Sequence, residues 1–186
     1  YYDANWSMAA RYVCAPPIRA EENQRALWRG LRRGEIQTIS TDHCSFTLAQ
    51  KDAGREDFTK IPGGLPGVET RGELIYSYGV AAKKLSLAQM CRVLSENPAK
   101  LYGLYPRKGV LAPGSDADIV IYDPGDSHVI RAEDCVANVD YNPYEGFVTA
   151  GGIREVWLRG RRTVEGGKVL DTVPAGMYLA RGKCDL

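Results

Sequence analysis

The sequence lacks long hydrophobic runs, a large excess of either charge and closely spaced cysteine pairs, and each absence excludes a class of protein. No run approaches the roughly 18 apolar residues that a membrane-spanning helix requires, so we predict no membrane segment. The 24 Lys and Arg residues nearly balance the 23 Asp and Glu residues, for a formal charge of +1. Because this balance creates no field of a single sign, we expect neither nucleic acid nor a membrane surface as a partner.

The cysteines are too far apart to suggest a covalent or metal framework. There are five of them and no C-x-x-C pair, a distribution typical neither of a disulfide-stabilised domain nor of a structural zinc knuckle. We therefore predict a reducing compartment, the cytoplasm. The five are Cys14, Cys44, Cys91, Cys135 and Cys184.

The chain does contain enough apolar material to bury a core, because 44% of its 186 residues are hydrophobic and 25% are charged. It begins at Tyr1, without an initiator Met and without the basic start and apolar middle of a signal peptide. We therefore expect these residues to be a piece of a longer protein.

One stretch, residues 35–44, carries the first candidate site. Residues 35–41 alternate as a half-buried β-strand does and end abruptly at Asp42 and His43, two side chains that can hold a metal ion or move a proton. In a barrel of strand and helix units, catalytic groups lie where strands end and loops begin. The alternative is structural, because Asp is also common after strands as a turn former or helix cap.

The flanking pattern predicts an α/β fold. Residues 11–15 suit an extended segment before Pro16-Pro17, residues 21–33 have helical spacing with Gly34 as a cap, and residues 43–67 read as a long polar loop. Further helices are predicted over residues 68–80, after the capping box that begins at Ser86, and from Asn97-Pro98.

After residue 109 the pattern becomes rich in β-strands. Residues 118–122 read as a buried strand, residues 127–130 as a second short one, and residues 155–159 and 162–164 as a hairpin across Gly160-Arg161. We therefore divide the chain into an α/β part, 1–108, a β-rich part, 109–170, and a C-terminal tail, 171–186.

Several other polar residues invite a chemical role, and for each we favour a structural one. The set Lys51, Asp52, Glu56 and Asp57 is predicted to be a solvated face. Asp116 and Asp118 fall short of a calcium loop and are assigned to a turn. His128, Asn142 and Glu145 are assigned to the surface or to turns.

Seven motifs, taken together and in order, resemble the cyclic amidohydrolases of the dihydropyrimidinase and D-hydantoinase family. The resemblance covers about residues 12–169. The motifs are Thr41-Asp42-His43-Cys44-Ser45-Phe46, Asp57-Phe58-Thr59-Lys60-Ile61-Pro62-Gly63-Gly64, Gly67-Val68-Glu69-Thr70-Arg71, Asn97-Pro98-Ala99-Lys100, Tyr105-Pro106-Arg107-Lys108-Gly109, Gly114-Ser115-Asp116-Ala117-Asp118-Ile119-Val120-Ile121-Tyr122-Asp123-Pro124 and Asp140-Tyr141-Asn142-Pro143-Tyr144-Glu145-Gly146.

The resemblance implies a fold, a reaction and three site residues. The fold is the C-terminal part of a TIM barrel followed by strands of a small β-sandwich. The reaction is hydrolysis of the ring amide of dihydropyrimidines or 5-substituted hydantoins to N-carbamoyl amino acids. Asp42 would ligate the metal and move the proton, and Ala15 and Gly63 would bind the substrate ring through their backbone. Many members have Ser in place of Ala15 and Asn in place of Gly63. Because the backbone contacts are kept, we expect these differences to affect substrate preference more than the reaction.

The same resemblance implies two divalent metal ions, usually zinc, that this chain cannot hold alone. The family's centre uses four His, one carboxylated Lys and one Asp, whereas the chain has only His43 and His128. His43 would point away from the face of Asp42 and have a packing role. A barrel also takes roughly 250 residues. We therefore expect the missing N-terminal portion of the barrel to be required. The resemblance also implies a homotetramer as the assembly.

Two alternatives remain open at this stage. One is a non-catalytic scaffold protein of the same fold, which the retained Asp42 disfavours. The other is a different cyclic amidohydrolase, of the allantoinase or dihydroorotase type, which residues 57–64 disfavour.

Overall fold

The computed structural model describes residues 8–171 and 176–186 and divides the chain into two compact units. The first unit comprises Tyr1–Leu27, Ser40–Gly72 and Val129–Thr149, and the second comprises Trp28–Ile39, Glu73–His128 and Ala150–Leu186. Both units draw on separate stretches of sequence. The predicted division at residues 108 and 170 stays a prediction, and part of the predicted tail, residues 172–175, lies outside the described residues.

The helices are short apart from the first, and none in the described ranges has the length and apolar character needed to cross a bilayer. The 12-residue first helix confirms the predicted one, and Gly34 follows it with a φ of 75°. The helices are α1 (Glu22–Arg33), α2 (Leu48–Asp52), α3 (Arg71–Ile75), α4 (Leu87–Cys91) and α5 (Asn97–Leu101).

Two of these helices continue into wider, π-helical turns. The segment Tyr76–Ala81 extends α3, and Arg92–Glu96 joins α4 to α5. The predicted capping box is present at the start of α4: the Ser86 hydroxyl accepts a hydrogen bond from the Gln89 amide at 3.2 Å, and the Gln89 side chain accepts one from the Ser86 amide at 2.8 Å. Two of the N–H groups that open this helix are thereby satisfied.

A four-stranded antiparallel sheet in the second unit confirms the β-rich pattern. Its order is β1-β2-β3-β4, with β1 at Ile119–Asp123, β2 at Gly152–Leu158, β3 at Arg161–Glu165 and β4 at Lys168–Val169. The turn of the predicted hairpin has φ values of 51° at Arg159 and 76° at Gly160, as the tight turns that suit strand twist require. The predicted strand at 127–130 is reduced to an isolated bridge between Val129 and Val148.

An ion-pair cluster ties the entry of β1 to the β2–β3 turn. Asp116 lies 3.0 Å from both Arg107 and Lys108, and Lys108 also pairs with Asp118. The second oxygen of Asp118 accepts a hydrogen bond from the Arg159 amide at 2.9 Å. Asp116 and Asp118 are therefore more than turn residues, because their side chains connect segments distant in sequence.

The predicted strand over residues 35–41 is wrong for this chain, because the described residues contain no ladder that includes it. Ile39 donates a hydrogen bond to the Val93 carbonyl at 3.1 Å, and a single parallel bridge joins His43 to Leu65. A strand requires a neighbour along its whole length, and the alternating pattern cannot form a ladder without one.

The long loop predicted for residues 43–67 is also more ordered than expected. It contains α2, whose start is capped by Thr47 and Gln50 in a second capping box, and a 3₁₀ turn at Phe58–Lys60. Near the N-terminus, a 3₁₀ turn at Ala9–Tyr12 replaces the beginning of the extended segment predicted for residues 11–15.

Gly64 allows two backbone segments of the first unit to approach closely. A Cβ atom at this position would lie 2.4 Å from the Cys44 carbonyl oxygen, and the φ of 154° is one that residues with side chains rarely adopt. The neighbouring Gly63 has ordinary space, since the nearest atom to an added Cβ lies at 3.7 Å.

We expect Gly64→Ala to destabilise the first unit by about 2–4 kcal/mol, because the new methyl group adds backbone strain to a steric overlap. Gly63→Ala is the matched control and should change stability little. Urea unfolding of the two variants and the wild type measures the difference. Equal stabilities for the two alanine variants would contradict the close approach at Gly64.

We also expect the ion pairs of Asp116 with Arg107 and Lys108 to stabilise the fold and to lose this effect at low pH. The hydrogen bond from Lys108, followed by that from Arg107, lowers the pKa of Asp116 below its usual value. The stabilisation is therefore present above the unfolded-state pKa of about 3.9 and is lost as the pH falls through the lower folded-state pKa. Asp116→Asn should flatten the dependence of unfolding free energy on pH between roughly pH 5 and pH 2, which urea unfolding of this variant and the wild type over that range measures.

Candidate active site

Backbone segments from three parts of the sequence meet in the first unit: residues 13–15, 42–44 and 62–65. The Gly64 amide donates a hydrogen bond to the Val13 carbonyl at 3.2 Å, which joins the first segment to the third. The Cys44 amide donates to the Leu65 carbonyl at 3.1 Å, which joins the second to the third. All three residues predicted for the site therefore lie on segments connected by backbone hydrogen bonds.

The structure places the two predicted ring-binding residues side by side. A Cβ atom built on Gly63 would lie 3.7 Å from the Ala15 nitrogen and 3.9 Å from the Ala15 Cβ. Both residues are exposed. Within residues 8–171 and 176–186, the amides of Cys14, Ala15 and Gly63 donate to no backbone carbonyl. Gly63 thus lies beside Ala15, which Cys14 directly precedes.

Asp42 lies at the edge of the same arrangement, two residues before Cys44. Its side chain is exposed and forms no ion pair with the described residues. Its φ of 46° is left-handed, a conformation that Asp and Asn tolerate better than most residues. An exposed carboxylate on a constrained backbone is suited to binding a cation or accepting a proton.

His43 has a structural role, as predicted from its position next to Asp42. Its Nδ1 accepts hydrogen bonds from the Gly67 amide at 3.1 Å and from the Val68 amide at 3.3 Å. Since both bonds need the lone pair on Nδ1, that nitrogen is not available to a metal ion.

Lys51 is the residue that sequence reasoning missed. It was assigned to a solvated face, but its side chain is completely buried, with a relative exposure of 0%. Its ammonium group donates to the carbonyls of Val13 at 2.7 Å, Pro62 at 2.6 Å and Gly64 at 2.7 Å. The local sequence signal that could have revealed order in this part of the loop is Thr47 followed by Gln50, the pattern of a capping box at a helix start.

Burial lowers the pKa of Lys51, because a charged group loses the water that solvates it. The nearby thiols of Cys14 and Cys44 act in the opposite direction. The ring of Phe46 also faces the ammonium group, with 5.5 Å from Nζ to the ring centroid.

The other polar residues of the 51–57 set do lie at the surface. Asp52 pairs with Arg55 at 2.9 Å, Glu56 is exposed, and Asp57 caps the following 3₁₀ turn by accepting a hydrogen bond from the Thr59 amide at 3.1 Å. The Thr59 hydroxyl also donates to Asp57 and lowers the pKa of that carboxyl group.

The remaining candidates have structural contacts within their own units. In the second unit, His128 lies 3.4 Å from Glu73. In the first, the Asn142 side chain accepts from the Tyr144 amide at 2.9 Å, and Glu145 accepts from the Ala132 amide at 2.7 Å. These contacts confirm the structural assignments of His128, Asn142 and Glu145.

The described residues do not form a metal centre by themselves. No group of three or more His, Cys, Asp or Glu side chains within the described ranges is placed to hold a metal ion. Asp42 can supply one oxygen ligand, whereas the Nδ1 of the neighbouring His43 is already occupied by two hydrogen bonds. Any metal ion bound beside Asp42 would need further ligands from outside these residues.

Comparison with known proteins identifies the family to which the chain is similar. Residues 7–163 match the amidohydrolase family. A D-hydantoinase of Streptomyces coelicolor is 44% identical over 176 residues, covering 94% of this chain and 38% of that protein. A D-hydantoinase of Geobacillus stearothermophilus is 42% identical over 175 residues, covering 94% and 37% respectively.

The similarity extends to three-dimensional structure. The crystal structure of a dihydropyrimidinase from Brevibacillus agri superposes with a TM-score of 0.85 at 44% identity, covering 87% of this chain and 35% of that one. The chain thus spans well under half the length of the relatives it matches. Because the family match covers most of the sequence and the relatives share its fold, the resemblance is confirmed: the chain belongs to the amidohydrolase family, beside its hydantoinase and dihydropyrimidinase members.

Proposed function

We propose that this chain is part of a metal-dependent enzyme that hydrolyses the cyclic amide bond of dihydropyrimidines or 5-substituted hydantoins to N-carbamoyl amino acids. The relatives named hydantoinase and dihydropyrimidinase, at 42–44% identity, support this reaction class. The observation that carries the proposal is the proximity of Ala15 and Gly63, whose amides, like that of Cys14, donate to no backbone carbonyl of the described residues, in a segment arrangement that also contains Asp42.

Backbone amides suit the recognition of a cyclic amide. Such rings carry carbonyl oxygens separated by a ring nitrogen, and each oxygen accepts hydrogen bonds from N–H groups. Ala15 and Gly63 would hold the ring through main-chain N–H groups, which explains why small side chains are acceptable at both positions. A site of this type fixes the ring's orientation while leaving room for its substituent.

Asp42 would perform the proton transfer. A carboxylate at this position would accept a proton from the attacking water and deliver it to the ring nitrogen, which must be protonated before it can leave. Two divalent metal ions, zinc in our proposal, would lower the pKa of water and polarise the scissile carbonyl. Asp42 would be one of their ligands.

The other metal ligands, including a carboxylated Lys, would come from polypeptide outside these 186 residues. The proposed architecture is therefore the C-terminal part of a TIM barrel followed by β-sandwich strands, completed by an N-terminal portion of the barrel. The proposal is supported by the share of the relatives that the chain covers, 35–38%, and by the one candidate ligand that it contains. A homotetramer and a cytoplasmic location are further parts of the proposal.

We expect Asp42→Asn to lower kcat of the complete, metal-loaded enzyme by about 10²–10⁴-fold, because a general acid–base group is removed. Asn tolerates the left-handed φ of 46° at this position, so the backbone should be preserved. The assay is ring opening of dihydrouracil and of hydantoin, with Asp52→Asn as the control for an exposed carboxylate of the same unit.

Two outcomes would contradict the proposal in different ways. A wild-type kcat in the Asp42→Asn variant would show that the carboxylate takes no part in the reaction. A metal-loaded wild-type protein that opens neither ring would instead favour a non-catalytic scaffold of the same fold.

We expect Gly63→Asn to shift substrate preference towards small rings. The added side chain has space beside Ala15 and would occupy volume that a ring substituent could otherwise use. The ratio of kcat/KM for a bulky 5-substituted hydantoin to that for dihydrouracil should fall by about tenfold, the usual scale for contacts in a substrate pocket. The exposed Ala53→Asn is the control, and an unchanged ratio for Gly63→Asn would remove Gly63 from the ring site.

A further inference from the structure

We propose that Lys51 is a positioning residue, which orients the backbone amides of the ring-binding segments for substrate. The inference rests on the proposed function, since it concerns the same site. The contacts that carry it lie within the first unit, where Lys51 joins the segment before Ala15 to the segment on both sides of Gly63.

The ammonium group uses its full donor capacity on main-chain oxygens. Its three carbonyl acceptors lie at 2.6–2.7 Å, which accounts for the three N–H donors of a lysine. No carboxylate among the described residues pairs with it. Lys51 is therefore not half of a buried ion pair, and its charge is compensated by the carbonyl dipoles of the two segments.

Because the peptide bond is planar, a carbonyl group held by Lys51 also fixes the direction of the N–H group in the same peptide. In a trans peptide the C=O and the following N–H point in opposite directions, and the peptide after Pro62 is not among the cis bonds of the described chain. With the Pro62 carbonyl aimed at Lys51, the Gly63 N–H must point away from it. The same reasoning applies to the Val13 carbonyl and the Cys14 N–H.

The Val13 carbonyl is the point at which the two segments are joined. It accepts from the Lys51 ammonium at 2.7 Å and from the Gly64 amide at 3.2 Å. A carbonyl oxygen has two lone pairs, and both are used here. Loss of the ammonium group would leave only the longer of the two bonds to maintain the register between the segments.

A purely stabilising role explains this arrangement less well. A buried charge without an anionic partner has a desolvation cost that a well-packed apolar side chain would avoid. Burial also lowers the pKa of this lysine, which reflects that cost. What an apolar residue could not do is orient three carbonyl groups around one point.

The test compares four variants of the complete, metal-loaded enzyme. Lys51→Met keeps the length of the side chain and removes the donors. Lys51→Arg keeps the charge but replaces a tetrahedral donor by a planar fork, which cannot place three carbonyls around one nitrogen. Thr47→Ala removes the cap of the same helix while leaving the ammonium group, and Lys60→Met removes a lysine that is 73% exposed.

We expect both Lys51 variants to raise KM for dihydrouracil about 10-fold or more, with a smaller fall in kcat, because misplaced amides weaken ring binding. Thr47→Ala should lower the Tm but keep the wild-type KM, and Lys60→Met should change neither. The KM–kcat comparison distinguishes positioning from stability, because partial unfolding lowers the active fraction and therefore kcat alone.

A second measurement keeps the inference testable if Lys51→Met fails to fold. Amide hydrogen exchange of Gly64 reports its bond to Val13 directly, and its protection should fall in Lys51→Arg but not in Thr47→Ala. A wild-type KM together with wild-type Gly64 protection in Lys51→Arg would overturn the proposal. A lower kcat at unchanged KM in Lys51→Met would also overturn the proposal, because Lys51 would then only stabilise the fold.

The proposed reaction and the proposed role of Lys51 can each be rejected without the other. Absence of ring opening in the wild type would count against the proposed reaction, whereas the exchange of Gly64 would still show whether Lys51 maintains the register of the segments. Normal wild-type activity with unaltered KM in both Lys51 variants would leave the reaction intact and reject the positioning role.

Discussion

A buried ammonium group must replace the hydration that it loses, and Lys51 does so with the carbonyls of Val13, Pro62 and Gly64. This requirement constrains the first unit. The three oxygens must face one point, so the two segments that contain them have little freedom to shift. Gly64 meets this requirement because it has no side chain, whereas a Cβ atom at that position would overlap the Cys44 carbonyl oxygen. The proposed site depends on this arrangement, because the amides of Gly63 and of Cys14, the residue before Ala15, belong to peptides whose carbonyls Lys51 binds.

The same constraint accounts for a site made largely of backbone. Ala15 and Gly63 have almost no side chain, yet these exposed residues lie next to each other, and their amides donate to no backbone carbonyl of the described residues. When binding depends on peptide N–H groups, the side chain at each position is free to vary, and its size can adjust which ring substituents are accepted. Asp42 differs, since its proposed proton transfer needs a carboxylate. The proposed function therefore places the chemistry in the Asp42 side chain and the recognition of the ring in the main chain.

The second unit combines local and long-range contacts. Helix α4 begins at the capping residue Ser86, and tight turns at Arg159-Gly160 and Gly166-Gly167 join β2, β3 and β4, whereas β1 pairs with β2 from a distant part of the sequence. The Lys108, Asp116 and Asp118 cluster then ties the start of β1 to the β2–β3 turn.

The sequence by itself determined the features that depend on neighbouring residues. Helix α1, the Ser86 cap and the β2–β3 hairpin could be predicted because their hydrogen bonds join residues a few positions apart, and the ordered motifs identified the family. Asp42, Ala15 and Gly63 stay the site residues predicted from that resemblance. Only the tertiary structure decided that residues 35–41 form no ladder, that Ala15 lies beside Gly63, and that Lys51 is buried. The carbonyls that Lys51 binds come from positions 38, 11 and 13 residues away, and no periodicity of hydrophobic residues encodes contacts at such separations.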